Sequence, residues 1–282
     1  MTEPIAEIPG ASDSQRATRR RESTILASLA IAGAVVEYPL AMAIKSIDVS
    51  ELVRALPFLV ITIVFASLIP LSLRLDSDLG LPGAPLLAAK IAGRKLHFSI
   101  RSLLRVSFGY AILAALGGAV VLVIALIPLV IKHSSGGSSS IPSPPILTVA
   151  PARVAFVGAS VAIAAAVSEE IQFRLVLYAL FGWIARLMSR GSNRFPGRGA
   201  LWIVTIAQGY LFGLIHLAPL AGTLFNSTSR FLLGGMLMPQ TLEGVIFGRL
   251  YLRRGLEASI IAHASMDLGL FLLAAVGVAR SH

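Results

Sequence analysis

The sequence predicts an all-α fold: a polytopic transmembrane helical bundle of about seven or eight spans. Hydrophobic residues make up 56% of the 282 residues, charged residues only 13%, and the mean hydropathy is +0.82. A soluble domain of this length carries about a quarter charged residues. In addition, apolar segments long enough to cross a bilayer recur along most of the chain. We therefore expect the protein to reside in a membrane.

Seven apolar segments approach or exceed the ~18–20 residues that cross a hydrocarbon core. The fourth is long enough to contain a second, short or re-entrant helix, which gives the eighth span. The first follows a group of arginines, but it is longer than a signal-peptide apolar region of ~7–15 residues and contains Glu37. We therefore predict that it is a retained helix. The segments are 25–44, 55–73, 105–131, 152–184, 200–225, 231–248 and 256–279.

Basic residues are concentrated in alternate polar intervals. The N-terminal tail and the intervals 74–105, 186–198 and 249–254 together carry 17 of the 24 Lys and Arg residues. The positive-inside rule therefore places these parts and the N-terminus in the cytosol. The net charge of +10 follows from this topology, so we predict no nucleic-acid partner. An Ala- and Arg-rich, cysteine-free composition favours a bacterial inner membrane.

The chain divides into a disordered cytosolic tail, residues 1–22, and a single membrane domain, residues 23–282. Ser, Gly and Pro dominate residues 134–146, which predicts a flexible linker. A Gly- and Pro-containing turn at 79–85 precedes an amphipathic stretch with Lys90, Arg94 and Lys95, which we expect to lie on the membrane surface.

A pair of acidic residues lies inside one of the most apolar segments. Glu169 and Glu170 follow an uncharged run from 154 to 167. Ionisable groups at membrane depth are costly, so they are candidates for function. Arg174 lies four residues after Glu170 and is expected to pair with it, either structurally or within a site. Glu169 points about 100° away around the helix, towards other partners.

Two histidines lie inside apolar segments, each four residues from a notable partner: Phe212 before His216, and Asp267 after His263. A carboxylate and an imidazole can together activate water for attack on a carbonyl, and a second imidazole can stabilise the oxyanion. The same side chains could instead bind Zn or Fe, or form structural hydrogen bonds.

Other polar residues carry weaker signals. Phe212 could simply pack against His216. Gln208, Gln240 and Glu243 are expected to form hydrogen bonds between helices. Ser265 lacks the glycine-flanked turn of a serine nucleophile.

Three motifs in this order, Glu169-Glu170-x-x-x-Arg174, Phe212-x-x-x-His216 and His263-x-x-x-Asp267, resemble those of the CPBP family of intramembrane proteases. This family includes CAAX prenyl proteases of the Ras-converting type and bacterial Abi proteins of bacteriocin processing or self-immunity. The similarity covers about residues 150–280. It is weaker at the Leu79-Gly80-Leu81 turn.

The resemblance implies a membrane endopeptidase of the glutamic type that requires no metal or other cofactor, with a peptide or membrane-protein substrate. Glu169 and His216 would activate the water, and His263 with Asp267 would form the oxyanion hole. Glu170, together with Arg174 and Phe212, would support the site. Catalytically well-understood members have Asn where this chain has Asp267. An ionised Asp cannot donate a hydrogen bond, so Asp267 would have to be protonated or would serve only to orient His263.

Three alternative functions remain open at this stage. The chain could be a non-catalytic membrane scaffold or immunity protein that retains the motifs as a structural polar network. It could also be a membrane metalloenzyme. A transporter is the third alternative, although no internal repeat is evident.

Glu169 and His216 must lie at a similar depth in the membrane if they are to act together. From the starts of their apolar segments, Glu169 and His216 lie ~25 Å and ~24 Å along helices that run in opposite directions. The two residues approach the midplane together if the Glu169 helix extends past both interfaces and the His216 span continues through Pro219 to about Phe225.

Overall fold

The computed structural model describes residues 13–44, 49–95, 98–134, 151–188, 196–217 and 227–281. In this part of the chain all regular secondary structure is helical, which confirms the predicted all-α class. The helices in chain order are α1 (Asp13–Ile44), α2 (Val49–Leu79), α3 (Pro85–Ile91), α4 (Ile100–Ser134), α5 (Pro151–Glu170), α6 (Tyr178–Met188), α7 (Arg198–Leu217), α8 (Ser227–Arg254) and α9 (Leu256–Ser281). A π-helical segment, Ile171–Leu177, joins α5 to α6.

Five helical stretches within the described residues are long and apolar enough to cross a membrane. The prediction of about seven or eight spans is roughly consistent with this architecture, since each predicted apolar segment begins within one of the long helices. The segment 152–184 forms one continuous helix with a π-helical middle instead of containing a re-entrant helix. The five stretches are Leu59–Leu79, Ile100–Ile124, Ala155–Met188, Arg198–Leu217 and Leu256–Gly277.

The N-terminal region differs from its prediction. Residues 13–22 were predicted to belong to a disordered tail, but they form the first turns of α1. Contacts with α2 explain the order, because Glu22 is buried and Arg19 Nη2 donates a hydrogen bond to Ser77 Oγ at 3.0 Å. Residues 1–12 lie outside the described part, as does 135–150, which contains most of the predicted linker at 134–146.

Helix α2 continues beyond the predicted apolar segment to Leu79, within the predicted 74–105 loop, and the turn predicted at 79–85 follows it. Gly80 and Gly83 then adopt positive φ values of 65° and 56°, which glycine tolerates best. The predicted amphipathic stretch forms the short helix α3, with Lys90 in its last turn. A single residue, Gly255 at φ 89°, separates α8 from α9. Its missing side chain leaves room for Pro85, so this turn packs directly against the start of α3.

Helix α5 occupies the centre of the bundle, where it packs against α1 and α9. Helix α7 packs closely along α8, and α4 covers α8 and α9. Glycines make the α7–α8 contact close: a Cβ on Gly244 would lie 2.7 Å from Gly209 Cα, and one on Gly213 would lie 2.6 Å from Thr241 Oγ1. Small residues let membrane helices approach in this way. Phe212 and His216 therefore project from a helix that is held at a fixed distance from α8.

Candidate active site

The acidic pair lies where α5 changes into the π-helical segment. Glu170 is the last residue of α5, and residues 171–176 are all buried. A π-helical turn widens the helix locally and is frequent at functional sites. Glu169 and Glu170 are themselves 8% and 0% exposed. The change of helix type therefore occurs immediately beside the two carboxylates that the sequence singles out.

Glu170 is enclosed by two cationic or potentially cationic side chains. Arg174 Nε donates to Glu170 Oε2 at 2.9 Å, and Arg174 Nη2 donates to Oε1 at 3.2 Å. His263 Nδ1 lies 3.0 Å from the same Oε1 and can donate to it. Arg174 is completely buried, as is Glu170. The expected pairing with Arg174 is therefore present, and it extends to a histidine on α9.

Glu169 faces both intramembrane histidines. Its Oε2 atom lies 3.7 Å from His216 Nε2 and 3.9 Å from His263 Nε2. These separations exceed a direct hydrogen bond, and such gaps are commonly bridged by water. The side chain of His216 is 29% exposed and that of Glu169 is 11% exposed, so this side of the cluster is the more open one.

The backbone fixes the tautomer of neutral His216. Its Nδ1 lies 2.9 Å from the Phe212 carbonyl oxygen, which can only accept a hydrogen bond. Nδ1 therefore carries a proton, and Nε2 of the neutral ring has a lone pair that faces Glu169. A ring held in this way can accept a proton or a hydrogen bond from a water molecule placed between the two side chains.

His263 is held between three carboxyl groups. Its Nε2 atom lies 3.3 Å from Asp267 Oδ2, while its Nδ1 faces Glu170. An imidazolium, which donates from both nitrogens, satisfies these acceptors on both sides of the ring. Asp267 is 22% exposed and shares the more open side of the cluster with His216. Asp267 thus contacts the second histidine directly, as its spacing of four residues suggests.

Aromatic rings fill the space between the motifs. Phe212 is fully buried, and its ring centroid lies 5.1 Å from that of Phe173 and 5.3 Å from the Arg174 guanidinium carbon. The same ring lies 4.5 Å from His216. Phe212 thus packs against His216, as expected, and it also carries a cation–π contact with Arg174.

Two residues of α8 lie beside the cluster, although the sequence gave little or no indication that they would. Phe247 stacks on His263 at 5.2 Å with an interplanar angle of 23°, and nothing distinguishes it from other apolar residues of the helix. Glu243 is 6% exposed and interacts electrostatically with Asp267 and His263. It was predicted only as a hydrogen bonder between helices. Its position inside an apolar span was the signal for a larger role.

Glu169 and His216 meet on helices of which the first is longer than its predicted apolar segment. Helices α5 and α6 and the π-helical segment between them form a continuous rod from 151 to 188, which extends past the predicted apolar segment. Glu169 therefore lies in the middle of the rod, where it meets His216 near the end of α7. Residues 218–226, where α7 was expected to continue, lie outside the described part.

The cluster contains the groups for water-mediated acyl transfer: a carboxylate, an imidazole with an available acceptor nitrogen, and a second imidazole among carboxyl groups. Within the described ranges, no group of three or more His, Asp or Glu side chains has the geometry of a metal site.

Residues 151–269, from the start of α5 into α9, match the model of the family described as "Type II CAAX prenyl endopeptidase Rce1-like". The match includes all three polar motifs. Comparisons with curated proteins and with solved structures give no significant match. The family match agrees with the resemblance seen in the motifs: the part of the chain that forms the polar cluster is similar to the Rce1-like family of the CAAX prenyl endopeptidase type.

Proposed function

We propose that this protein is an intramembrane endopeptidase of the glutamic type, which hydrolyses a peptide bond with a water molecule activated by Glu169 and His216. The main support for the proposal is that Glu169 Oε2 lies close to both histidines, 3.7 Å from His216 Nε2 and 3.9 Å from His263 Nε2. The family match supports a protease function in general terms.

The water is held between the Glu169 carboxylate and His216 Nε2. Because both groups accept hydrogen bonds, the two protons of the water point towards them and an oxygen lone pair is free to attack. As the oxygen bonds to the substrate carbonyl carbon, Glu169 takes one proton. A positioned general base of this kind contributes about 10²–10⁴-fold to the rate.

The negative charge that forms on the carbonyl oxygen requires a donor or a cation nearby. His263 supplies the positive charge. It is an imidazolium, because Glu170 and Asp267 face its two nitrogens. Asp267 acts by orienting His263. Collapse of the tetrahedral intermediate breaks the C–N bond, and the proton held by Glu169 moves to the leaving nitrogen. The second proton of the water passes through His216 Nε2 to the same nitrogen, so the products are a carboxylate and an ammonium group, and no covalent enzyme intermediate forms.

Glu170 and Arg174 act as positioning residues. Both are completely buried, so they do not reach a substrate. Their ion pair holds the π-helical segment, and the hydrogen bond from His263 to Glu170 connects that segment to α9. Phe212 and Phe247 pack against the imidazoles and fix their ring planes.

The proposed substrate is a peptide or membrane protein cleaved near the cytosolic side of the bilayer. The distribution of basic residues supports a cytosolic N-terminus, and the composition supports a bacterial inner membrane as the location. The family description makes prenylated peptides the first class of substrate to examine.

The proposal is tested by cleavage of fluorogenic peptides ending in a CAAX sequence, with and without a farnesyl group, by purified protein in lipid nanodiscs. Glu169→Ala and His216→Ala should each lower the cleavage rate by at least about 100-fold. Ser265→Ala is the matched control on α9. Its hydroxyl donates to the Ile261 carbonyl at 2.6 Å, so its loss should leave the rate unchanged.

Equal cleavage by all three variants and the parent would discard the assignment. Retention of partner binding or of an immunity phenotype in a Glu169→Ala strain, without any cleavage by the parent, would favour the scaffold alternative instead. The contact between Asp267 and His263 supports that alternative, because Asp267 stands where the best-understood members have Asn. Metal analysis of the active protein tests the metalloenzyme, which requires stoichiometric Zn or Fe.

A further inference from the structure

A pocket lies outside the catalytic cluster, between the N-terminal part of α1, the end of α2 and the turn that leads into α3. Its volume is about 530 Å³, and none of its lining residues belongs to the three motifs. Small-molecule sites usually measure about 300–1,000 Å³. The pocket is therefore large enough for an organic ligand and much larger than a bare ion requires.

The pocket wall contains a buried carboxylate with an unused acceptor. Asp76 is 2% exposed, and its Oδ2 atom accepts a hydrogen bond from the hydroxyl of the fully buried Tyr251 at 3.0 Å. Its other oxygen, Oδ1, has no hydrogen-bond partner among the described residues. Buried polar atoms are normally paired. Tyr251 fixes one edge of the carboxylate, which leaves the opposite edge to a ligand.

Further acidic charge surrounds this oxygen. Glu22 lines the same pocket, is 6% exposed and interacts electrostatically with Asp76 and Glu257. Burial, together with the charge of Glu257, raises the pKa of Glu22 to about 7, while Arg19 acts in the opposite direction. Above that pH, Glu22 carries a negative charge. The Arg19 guanidinium donates to Ser77 Oγ at 3.0 Å.

Arg19 and Arg94 also line the pocket, so the unpaired oxygen of Asp76, and not the net charge of the lining, indicates the ligand. A cation would pair with Asp76 Oδ1 and with Glu22, and it would relieve the repulsion between the acidic side chains. The pocket is much larger than a bare metal ion requires. An ammonium or guanidinium group can instead donate several hydrogen bonds to two carboxylates at once.

We infer that this pocket binds an organic cation, an ammonium or guanidinium group carried on a small aliphatic body, through Asp76 and Glu22. The apolar part of the ligand would contact Leu73 and Leu81, which also line the pocket. The positive-inside distribution places this end of α1 and α2 in the cytosol. The cation is supplied either by a free amine of the cytosol or by a basic side chain of a polypeptide.

The test is the thermal unfolding midpoint of the protein in nanodiscs at pH 8, at constant ionic strength. Agmatine is the free probe, and an acetylated, amidated Gly-Arg-Gly peptide is the polypeptide probe. Its citrulline counterpart is the neutral control. At about ten times its dissociation constant, agmatine should raise the midpoint by about 3 °C or more. A shift with the arginine peptide as well identifies a polypeptide source, and a shift with agmatine alone identifies a free amine.

Asp76→Asn and Glu22→Gln should each remove the agmatine shift. Asp78→Asn is the matched control, because Asp78 is an exposed acid two residues further along α2 and should leave the shift intact. If Asp76→Asn does not fold, Glu22→Gln carries the test. The inference is overturned by the absence of any shift in the parent protein, by an equal shift in Glu22→Gln and the parent, or by stabilisation with Mg²⁺ but not with agmatine.

Discussion

At the scale of single residues, the site depends on which atoms of the two histidines face which carboxylates. The backbone of α7 sets His216, whose Nδ1 lies 2.9 Å from the Phe212 carbonyl oxygen, so that Nε2 faces Glu169. Side chains set His263, which lies between Glu170 and Asp267. The two rings are thus prepared for different tasks: one accepts from water, and the other supplies positive charge.

Asp267 gives the first prediction. If it only orients His263, then Asp267→Asn should retain activity at or above the parent level, because an amide oxygen still accepts from Nε2. Asp267→Ala should lose about tenfold in kcat/KM, which corresponds to roughly 1.4 kcal/mol of transition-state stabilisation. Steady-state cleavage of the fluorogenic peptide measures both. Complete loss in Asp267→Asn would show that the negative charge itself is required.

The buried pair of Glu170 and Arg174 gives the second prediction. Removing one partner of a buried ion pair leaves an uncompensated charge and destabilises by about 3–5 kcal/mol. Arg174→Met should therefore lower the unfolding midpoint strongly, and the double variant Glu170→Gln with Arg174→Met should recover part of the loss. The midpoint in nanodiscs measures this. Equal midpoints in the single and double variants would contradict the proposed coupling.

Some contacts of the site could be predicted from the sequence, and others could not. The pairing of Glu170 with Arg174 and the contact between His263 and Asp267 follow from spacings of four residues on a helix. The contacts of Phe247 and Glu243 could not be predicted in this way, because they depend on the rotation of α8 relative to α9. A single sequence contains no measure of that rotation.

At the scale of elements, the π-helical segment and the glycine contact between α7 and α8 bring the motifs together. The apolar segment 152–184 was predictable from hydropathy, but its π-helical middle was not, because apolar composition is compatible with either helix type. The helix at residues 13–22 could not be predicted either, for a similar reason. These residues are polar, and they are ordered by contacts with α2 that cannot be recognised from the local sequence.

The α7–α8 contact gives the third prediction. A Cβ on Gly209 would lie 2.7 Å from Val245 Cγ2 and 2.9 Å from the Thr241 carbonyl oxygen, so Gly209→Ala must push the helices apart. Since α7 carries His216, both the unfolding midpoint and the cleavage rate should fall. Gly199→Ala on the same helix is the control, because no atom lies within 4 Å of its added Cβ. Equal behaviour of the two variants would contradict this account.

At the scale of the whole molecule, hydropathy and charge alone predicted a multi-pass helical bundle. The three polar motifs located the similarity at about residues 150–280, and the family model matches residues 151–269. Hydropathy could not show that the described part of the chain packs α5 between α1 and α9. That arrangement depends on side-chain fit between helices, which is not encoded in the period of apolar residues.

The orientation gives the fourth prediction. The chain contains no cysteine, so a single introduced cysteine reports its own location. With a cytosolic N-terminus, Met188→Cys at the end of α6 should react with a membrane-impermeant maleimide only after the membrane is opened. Ala279→Cys near the end of α9 should react in intact spheroplasts. The reverse pattern would invert the topology.

The most direct test of the central claim is the single-turnover cleavage rate of Glu169→Gln in a buffer that contains a metal chelator. Glutamine keeps the shape of the side chain but cannot take a proton from water. We predict that the parent protein cleaves at its full rate with the chelator, and that Glu169→Gln cleaves at least about 100-fold more slowly with an unchanged unfolding midpoint. Cleavage by Glu169→Gln at the parent rate would contradict the role of Glu169 as the base.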